Sequence, residues 1–264
     1  MMTIDDFERC LMEKAAENAE QAWDRRSTTF FERTEKIHEE FSQGFVFQVI
    51  RDRQLLNAHS KVLDIGCGTG RHLFEFSRYT PYLTGTDISS GMLLYAQEKL
   101  KHIPHARLLH GNWMELFTKS GEYDFVFACM TPAIASIEHL KRMCFISKKY
   151  CMLDRFVYQK DDVQEEIEKL LGRPYVHAPH NRKEYVYGVW NILWQLGYYP
   201  DVLFDTTVQP IENEIDEYME YFQGTETEKN TILHFLHSIT KNGTITAATH
   251  TVKALILWEV QTMR

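Results

Sequence analysis

The spacing of apolar residues divides the chain into a helical beginning and a longer region in which strands and helices alternate. Near the start, Phe7, Cys10, Leu11 and Ala15 recur on one helical face. From Lys61 onward, short apolar runs punctuated by glycine are separated by helical stretches, which is the alternation typical of a parallel α/β sheet. The strands predicted from this pattern are 61–65, 82–87, 106–110, 123–129 and 150–156.

After the fifth predicted strand the pattern indicates more helices and two closing strands. The elements expected there are helices at 161–171, 181–197, 211–222 and 230–239 and strands at 201–207 and about 251–260. The last two helices interrupt the final strand pair. We therefore expect an N-terminal helical cap at 1–60 and a core at 61–264 that carries a helical insertion at about 211–240.

Composition and charge restrict the class of protein and its partners. With 264 residues, 44% of them hydrophobic, the chain is expected to form one large globular catalytic unit. The formal net charge of -8 argues against a partner that is a nucleic acid, because polyanions need a clustered basic surface. A small or cationic substrate fits this charge better, and the sequence leaves the oligomeric state open.

The cysteines and the apolar runs favour a cytoplasmic location. The five cysteines are odd in number and no two have the Cys-x-x-Cys spacing of zinc or redox sites. The N-terminus lacks an apolar run that would serve as a signal, and no apolar stretch approaches ~20 residues. We expect reduced thiols, no bound metal and no contact with a membrane.

A glycine-rich turn follows the first predicted strand, in the run VLDIGCGTG at 62–70. Such a turn allows a ligand to approach the main chain closely. Dinucleotide-binding loops have the spacing Gly-x-Gly-x-x-Gly, whereas here the third glycine comes one residue early, at Gly70. Asp64 places an anionic group just before the loop, which suits a cofactor with a cationic amino acid end. The alternative is a carboxylate that merely organises the turn.

The next two predicted strands also end in polar residues. Asp87 ends the second strand, where a carboxylate can accept hydrogen bonds from both ribose hydroxyls of an adenosine. Its alternative role is to cap the helix that starts near Ser89. After the third strand, the Asn112 amide is suited to the adenine edge and the Trp113 indole to its face, although Trp113 is as compatible with a place in the core.

The ordered set VLDIGCGTG, TGTDIS, GNW and YDFVFACM, over residues 61–130, resembles the motifs of class I S-adenosylmethionine-dependent methyltransferases. The resemblance implies a Rossmann-like α/β fold with a seven-stranded, mostly parallel sheet whose last strand is antiparallel. It implies S-adenosylmethionine as cofactor, with the glycine loop at the methionine part and Asp64 at its ammonium. Asn112 departs from the aspartate common at that place. The cofactor-binding candidates are Asp64, Gly66, Cys67, Gly68, Gly70, Asp87, Ile88, Met92, Asn112, Trp113 and Cys129.

The methyl acceptor is expected near the ends of the fourth and fifth strands. Methyl transfer from a sulfonium needs in-line approach and exclusion of water more than a metal or a nucleophilic residue, so no catalytic residue is assigned. The sequence departs from the Asn/Asp-Pro-Pro-Tyr pattern of enzymes that methylate base amines. The candidates for acceptor binding are Thr131, Arg155, His177 and His180, with Asp154 beside them. The alternative for each histidine is a solvated position in a loop.

These motifs predict an enzyme that methylates a small molecule. Trp23 is a candidate for a position over the cofactor, and we expect the N-terminal helices and the insertion at 211–240 to form a lid over the cleft. The acidic residues of the insertion would then attract a cationic substrate, although a solvated helix face is the alternative. A nicotinamide-dependent oxidoreductase and a non-catalytic protein that binds S-adenosylmethionine are the alternative functions.

Overall fold

A computed structural model describes residues 3–11, 18–35, 44–175, 182–219 and 224–260 of the chain. The chain divides into two units. One contains Met1–Arg155, Glu184–Leu203 and Leu255–Arg264, and the other contains Phe156–Lys183 and Phe204–Ala254. Of the helices in the described ranges, none is long and apolar enough to cross a membrane.

Within the described residues, seven strands form one mixed sheet in the order β3-β2-β1-β4-β5-β7-β6, with β7 antiparallel. Pairing is parallel between β1 and β2, β1 and β4, β2 and β3, and β4 and β5. The strands are β1 Val62–Ile65, β2 Leu83–Asp87, β3 Arg107–His110, β4 Tyr123–Cys129, β5 Ser147–Asp161, β6 Asp201–Asn213 and β7 Ile245–Glu259. This is the fold that the sequence predicts.

The helices within the described residues begin before the sheet and then alternate with its strands. They are α1 Ile4–Leu11, α2 Ala19–Glu35, α3 Phe45–Asp52, α4 Arg71–Phe76, α5 Ser90–Leu100, α6 Trp113–Leu116, α7 Ile137–Ile146, α8 Asp162–Leu170, α9 Lys183–Gln195, α10 Ile215–Met219 and α11 Glu226–Ile239. Side chains cap several of these helices, because the first backbone N–H groups of a helix lack partners within it. Ser89 caps α5 and Ser136 caps α7 in this way.

Aromatic rings fill the core of the first unit beside the central strands. The Phe76 ring of α4 meets Phe125 and Phe127 of β4 edge to face, with centroids 5.8 and 5.3 Å apart. Phe47 of α3 contacts Phe76 at 5.5 Å, and all four rings are buried. Burial of this size stabilises β1 and β4 at the centre of the sheet, so their ends provide a firm edge for a site.

The second unit has its own apolar core, formed by Val163 and Ile167 of α8, Ile232 and Leu236 of α11, and β7. Helix α11 begins with a capping box, in which the Thr225 side chain and the Glu228 side chain each bond the other's backbone N–H. Glu228 also pairs with Arg173, and these contacts fix the start of α11.

The predicted strands before residue 130 agree with the structure to within one residue at each end, but the later ones are too short. In particular, Ile211 lies in β6 and not in a helix, since β6 continues to Asn213. Strand β6 is mostly exposed, so its apolar residues do not mark a continuous buried run. Asn181, the first residue of the helix predicted at 181–197, lies outside the described residues. The division into a cap at 1–60 and a core stays a prediction.

Candidate functional site

The glycine loop after β1 is tied to the end of β2. Strand register places Ile65 beside Thr86, and the backbone N–H groups of Gly66 and Cys67 both donate to the Thr86 carbonyl, at 2.8 and 3.0 Å. The next N–H group, that of Gly68, donates to Asp87 Oδ2 at 2.9 Å. The loop and the β2 carboxylate therefore form one hydrogen-bonded unit at the carboxyl edge of the sheet.

Gly66 is required by the close approach of the loop to the segment after β4. Its φ of +69° lies in the left-handed region, and a Cβ atom there would come within 2.3 Å of Thr131 Oγ1. No other residue type fits both the angle and the contact. The glycine loop thus lies directly against Thr131, one of the predicted acceptor residues.

Asp64 is buried beneath this loop with an unsatisfied oxygen. Its side chain is 1% exposed, and Oδ2 has no hydrogen-bond partner among the described residues. Burial raises the pKa of Asp64 well above the ordinary value, and the negative charge of Asp87 raises it further. A buried carboxylate oxygen without a partner is costly, so this position suits a ligand that brings a cation or hydrogen-bond donors.

Asp87 joins the glycine loop to the turn before α5. Its Oδ1 accepts from the Ser89 N–H at 2.9 Å, while Oδ2 accepts from Gly68. Burial raises the pKa of Asp87, and these backbone hydrogen bonds oppose that shift. The N-cap of α5 is Ser89, whose Oγ accepts from the Met92 N–H, so Asp87 does not cap the helix itself. Each of its oxygens keeps a lone pair for a further donor.

The cofactor-binding candidates Ile88, Met92 and Asn112 occupy different environments. Met92 is buried and Ile88 is half-buried, and the Ile88 carbonyl accepts from His110 Nε2 at 2.9 Å. Asn112 is the N-cap of α6, where its Oδ1 accepts from the Met114 N–H at 3.1 Å. Its amide oxygen is therefore already engaged, although the side chain is exposed.

Trp113 and Cys67 both point into packed surroundings. Trp113 is 5% exposed and donates its indole N–H to the Ala133 carbonyl at 3.2 Å, so it anchors the segment after β4. Cys67 is buried in the core, and burial raises the pKa of its thiol well above the ordinary value. Its side chain lies close to Gly85 of β2, which leaves the Cys67 backbone as the part that faces a ligand.

The ends of β4 and β5 bring a thiol and a carboxylate together. Cys129 is paired with Asp154 in the strand register, and its Sγ donates to Asp154 Oδ2 at 3.4 Å. The next residue, Met130, has a φ of +47°, and its N–H donates to the Asp154 carbonyl at 2.9 Å. Strained left-handed residues of this kind cluster at functional sites.

Arg155 fixes the loop that carries Thr131. It is buried, donates from Nη1 to the Thr131 carbonyl at 2.5 Å, and lies 4.1 Å from the centroid of the Tyr185 ring. The Tyr185 hydroxyl donates to the Ile134 carbonyl at 2.8 Å. The structure thus brings Thr131 and Arg155 together, whereas His177 and His180 lie outside the described residues.

Helix α2 carries the predicted Trp23 and adds Phe30 and Asp24, whose positions the sequence does not predict. The Phe30 ring lies 3.9 Å from the position that a Cβ atom would take at Gly68, and it meets Trp23 edge to face at 6.3 Å. Asp24, between them on the helix, bonds to the start of α5. The sequence of an amphipathic helix does not show which residues elsewhere in the chain its polar and aromatic side chains contact, so these contacts of α2 could not be predicted.

Comparisons with known proteins agree with this geometry. Residues 62–146 match the family model described as methyltransferase domain. Demethylmenaquinone methyltransferase of Staphylococcus aureus is 36% identical over 70 residues, which are 25% of this chain and 29% of that protein. The chain therefore aligns with less than a third of the length of that relative.

Solved structures share the fold at low sequence identity. The YcgJ protein of Bacillus subtilis is 14% identical with a TM-score of 0.53, over 82% of this chain and 98% of that one. A Bacillus halodurans protein, described provisionally as a methyltransferase, is 14% identical with a TM-score of 0.51, over 81% and 98%. The fold is that of the class I methyltransferases. Within that fold, residues 62–146 are similar to a methyltransferase domain.

Proposed function

We propose that this protein transfers the methyl group of S-adenosylmethionine to a small-molecule acceptor. The observation that carries the proposal is the buried Asp64 Oδ2, which has no partner among the described residues and lies under a glycine loop bonded to Asp87. A cofactor with an ammonium group and a ribose supplies a cation for Asp64 and hydroxyl donors for Asp87. A nicotinamide dinucleotide would bring a pyrophosphate, for which a buried carboxylate is unfavourable.

Asp64 and Asp87 each have a definite role in cofactor binding under this proposal. Asp64 would pair with the ammonium group, and its ionised form would be stabilised by that charge. Asp87 would accept hydrogen bonds from the ribose hydroxyls with the lone pairs that Gly68 and Ser89 leave open. Bound S-adenosylmethionine supplies an electrophilic methyl group on a sulfonium. The chain has to hold it, keep water away and orient the acceptor.

The acceptor is expected at the ends of β4 and β5. Asp64 is paired with Phe127 in the sheet, and Cys129 lies two residues beyond Phe127, so Cys129 and Asp154 are about 7 Å further along the strand direction. The Asp154 carboxylate is suited to hold a proton-bearing acceptor or to take its proton. Thr131 and Arg155 shape the adjoining loop, and His177 and His180 stay predictions for the same pocket.

The charge of the chain and its relative both support a small acceptor. A net charge of -8 is unfavourable for binding a nucleic acid. The relative in Staphylococcus aureus is named as a methyltransferase of demethylmenaquinone. In the described part of the chain, no three His, Cys, Asp or Glu side chains are grouped so as to hold a metal ion. The cytoplasmic location stays a prediction.

Calorimetry with S-adenosylmethionine, S-adenosylhomocysteine and NAD tests the cofactor. We expect binding of the first two and none of NAD. A second step identifies the acceptor, by incubation of the protein with methyl-labelled S-adenosylmethionine and a small-molecule fraction of a cell extract. NAD binding without S-adenosylhomocysteine binding would contradict the proposal, and tight cofactor binding without transfer to any fraction would favour a non-catalytic role.

The Asp87→Ala variant tests the ribose assignment. A charged acceptor contributes roughly 1.5–3 kcal/mol per hydrogen bond, so the affinity for S-adenosylhomocysteine should fall by at least about tenfold. Folding should survive, since Asp87 lies at the edge of the sheet and Ser89, not Asp87, caps α5. An unchanged affinity would show that Asp87 serves only the local turn.

A further inference from the structure

A carboxylate of helix α2 bonds directly to the start of helix α5. Asp24 Oδ1 accepts from the Ser89 Oγ–H at 2.7 Å and from the Gly91 N–H at 2.9 Å. The Gly91 N–H is one of the groups at a helix start that lack an intrahelical partner. Asp24 therefore satisfies a donor of α5 from a helix more than 60 residues earlier in the chain, and its negative charge is favourable at that end of the helix dipole.

The same hydrogen bonds continue to the ribose carboxylate proposed above. The Ser89 side chain donates to Asp24, while the Ser89 N–H donates to Asp87 Oδ1 at 2.9 Å. Ser89 is fully buried and also accepts from the Met92 N–H. It consequently has little freedom to move independently of either carboxylate. The pKa of Asp24 is held below its ordinary value, first by the Ser89 hydroxyl and then by the Gly91 N–H, so Asp24 is ionised at neutral pH.

Helix α2 packs closely on α5 at this point and along its length. A Cβ atom at Gly91 would come within 2.8 Å of Ser27 Oγ and 3.3 Å of Asp24 Oδ1, so the glycine allows the two helices to approach. Further along, Phe31 stacks on Tyr95 with ring centroids 4.2 Å apart. The neighbouring residue on α2, Phe30, lies beside the glycine loop.

We propose that Asp24 is a positioning residue for the cofactor: it holds α2 against the glycine loop and, through Ser89, holds Asp87 in the orientation that receives the ribose. The inference rests on the proposed function, because it assumes that the ribose binds at Asp87. Loss of the Asp24 carboxylate would remove one wall of the cofactor site and loosen the turn between Asp87 and α5. The acceptor end of the cleft, at Cys129 and Asp154, would be unaffected.

The test compares Asp24→Ala with Asp24→Asn. The alanine variant loses both hydrogen bonds, whereas the asparagine keeps an oxygen that can accept them and loses the charge. We expect dissociation of S-adenosylhomocysteine to become faster and its affinity to fall about tenfold in Asp24→Ala and less than about threefold in Asp24→Asn. Once a methyl acceptor is identified, KM of the Asp24→Ala variant for S-adenosylmethionine should rise while kcat changes by less than about twofold.

Glu8→Ala is the matched control, because Glu8 makes the equivalent contact elsewhere. Its Oε1 accepts from the Ile137 N–H at the start of α7, at 2.8 Å. This variant should lose a similar amount of thermal stability and keep the affinity for S-adenosylhomocysteine. Gly91→Ala provides a second perturbation, which keeps the Asp24 carboxylate but pushes α2, the helix that carries it, away from α5. It should weaken binding in the same direction without harming α5, since alanine favours a helix.

The outcomes separate this inference from the proposed function. If the wild-type protein binds no S-adenosylhomocysteine, the proposed function is wrong and the inference falls with it. If the wild type binds and Asp24→Ala binds equally well, the inference alone is overturned. A loss of affinity in Glu8→Ala as large as that in Asp24→Ala would also overturn it, because general destabilisation would then explain both. Rescue by asparagine together with an unaffected Glu8→Ala variant supports it.

Discussion

Asp64 and Asp87 are two carboxylates whose arrangement is unfavourable in the free protein. Asp64 is buried with one oxygen lacking a partner among the described residues, and the nearby charge of Asp87 adds to the effect of burial on its pKa. Positions of this kind lower the stability of the free protein and raise its affinity for a cationic ligand, which is the usual trade-off at a functional site. Under the proposed function, the Asp64 side chain would therefore connect the stability of the free protein with cofactor binding.

The Asp64→Asn variant should be more stable than the wild type and bind the cofactor less well. The pKa of Asp64 in the folded protein is raised above 3.8, so the contribution of this one group to the stability of the free wild type is most favourable below that pH and is lost as pH rises through the raised pKa. Asparagine does not titrate and removes this loss. Its affinity for S-adenosylhomocysteine should drop by at least about tenfold, because an ammonium group loses its charged partner.

Thermal unfolding of the free wild type and the free Asp64→Asn variant at several pH values above 3.8 measures the difference in stability. Calorimetry measures the affinity of both proteins for S-adenosylhomocysteine. In the wild type, affinity should also increase with pH across the same range, since the ammonium is held best by ionised Asp64. A less stable Asp64→Asn protein with wild-type affinity would show that the carboxylate serves only the turn.

At the level of elements, the site depends on how closely the glycine loop approaches the segment after β4. Gly66 has a positive φ and lies against Thr131. Gly172, after α8, has a similar φ of +64°, but no atom of the described residues lies within 4 Å of the position that its Cβ atom would take. The two glycines therefore separate the effect of backbone angle from the effect of close packing.

Gly66→Ala should reduce stability more than Gly172→Ala and should abolish tight cofactor binding. A left-handed alanine costs roughly 1–2 kcal/mol, which is the whole expected effect at Gly172. At Gly66 the added methyl group must also displace Thr131, so the loop has to shift away from its place beside Asp87. Denaturant unfolding and calorimetry on both variants check this, and equal effects at the two positions would mean that the contact with Thr131 is unimportant.

Sequence patterns predicted some elements much better than others, for physical reasons. Strands β1 and β4 lie at the centre of a parallel sheet and are buried along nearly their whole length, so they appear as uninterrupted apolar runs. The last residues of β6 are almost all exposed, so no buried apolar run marks them, and the pattern predicts a helix from Ile211 onward. The glycine loop and Asp87 could be predicted as neighbours, because each stands at the carboxyl end of a strand and these ends meet at the same edge of a parallel sheet. The hydrogen bonds of Asp24 could not be predicted, since they depend on how two distant helices pack.

At the scale of the whole molecule, the segments of the predicted lid belong to both units, and either unit could change its dynamics when the cofactor binds. In the first unit, α2 contacts both the glycine loop and α5. In the second, α11 and α8 share an apolar core of their own. The predicted lid includes the N-terminal helices and the insertion at 211–240, and the contacts of α2 support the first of these parts. The part played by the insertion stays a prediction.

Hydrogen exchange with and without S-adenosylhomocysteine tests the lid. Protection should rise in residues 19–35 as well as in the glycine loop, because a ligand under α2 stabilises its closed position. Increased protection at 211–240 would support a lid that also includes the insertion. If exchange in both segments is unaffected while the cofactor binds, the lid hypothesis is wrong and the case for a small acceptor is weakened.

The pair formed by Cys129 and Asp154 has a practical consequence for finding the acceptor. Cys67, Cys144 and Cys151 are buried, whereas Cys10 and Cys129 are half-buried. In a Cys10→Ser background, thiol-specific alkylation would be directed to the end of β4. A fluorescent label attached there would lie at the carboxyl edge of the sheet, where the methyl acceptor is expected. Binding of a candidate acceptor could then be followed by the change in fluorescence of the label.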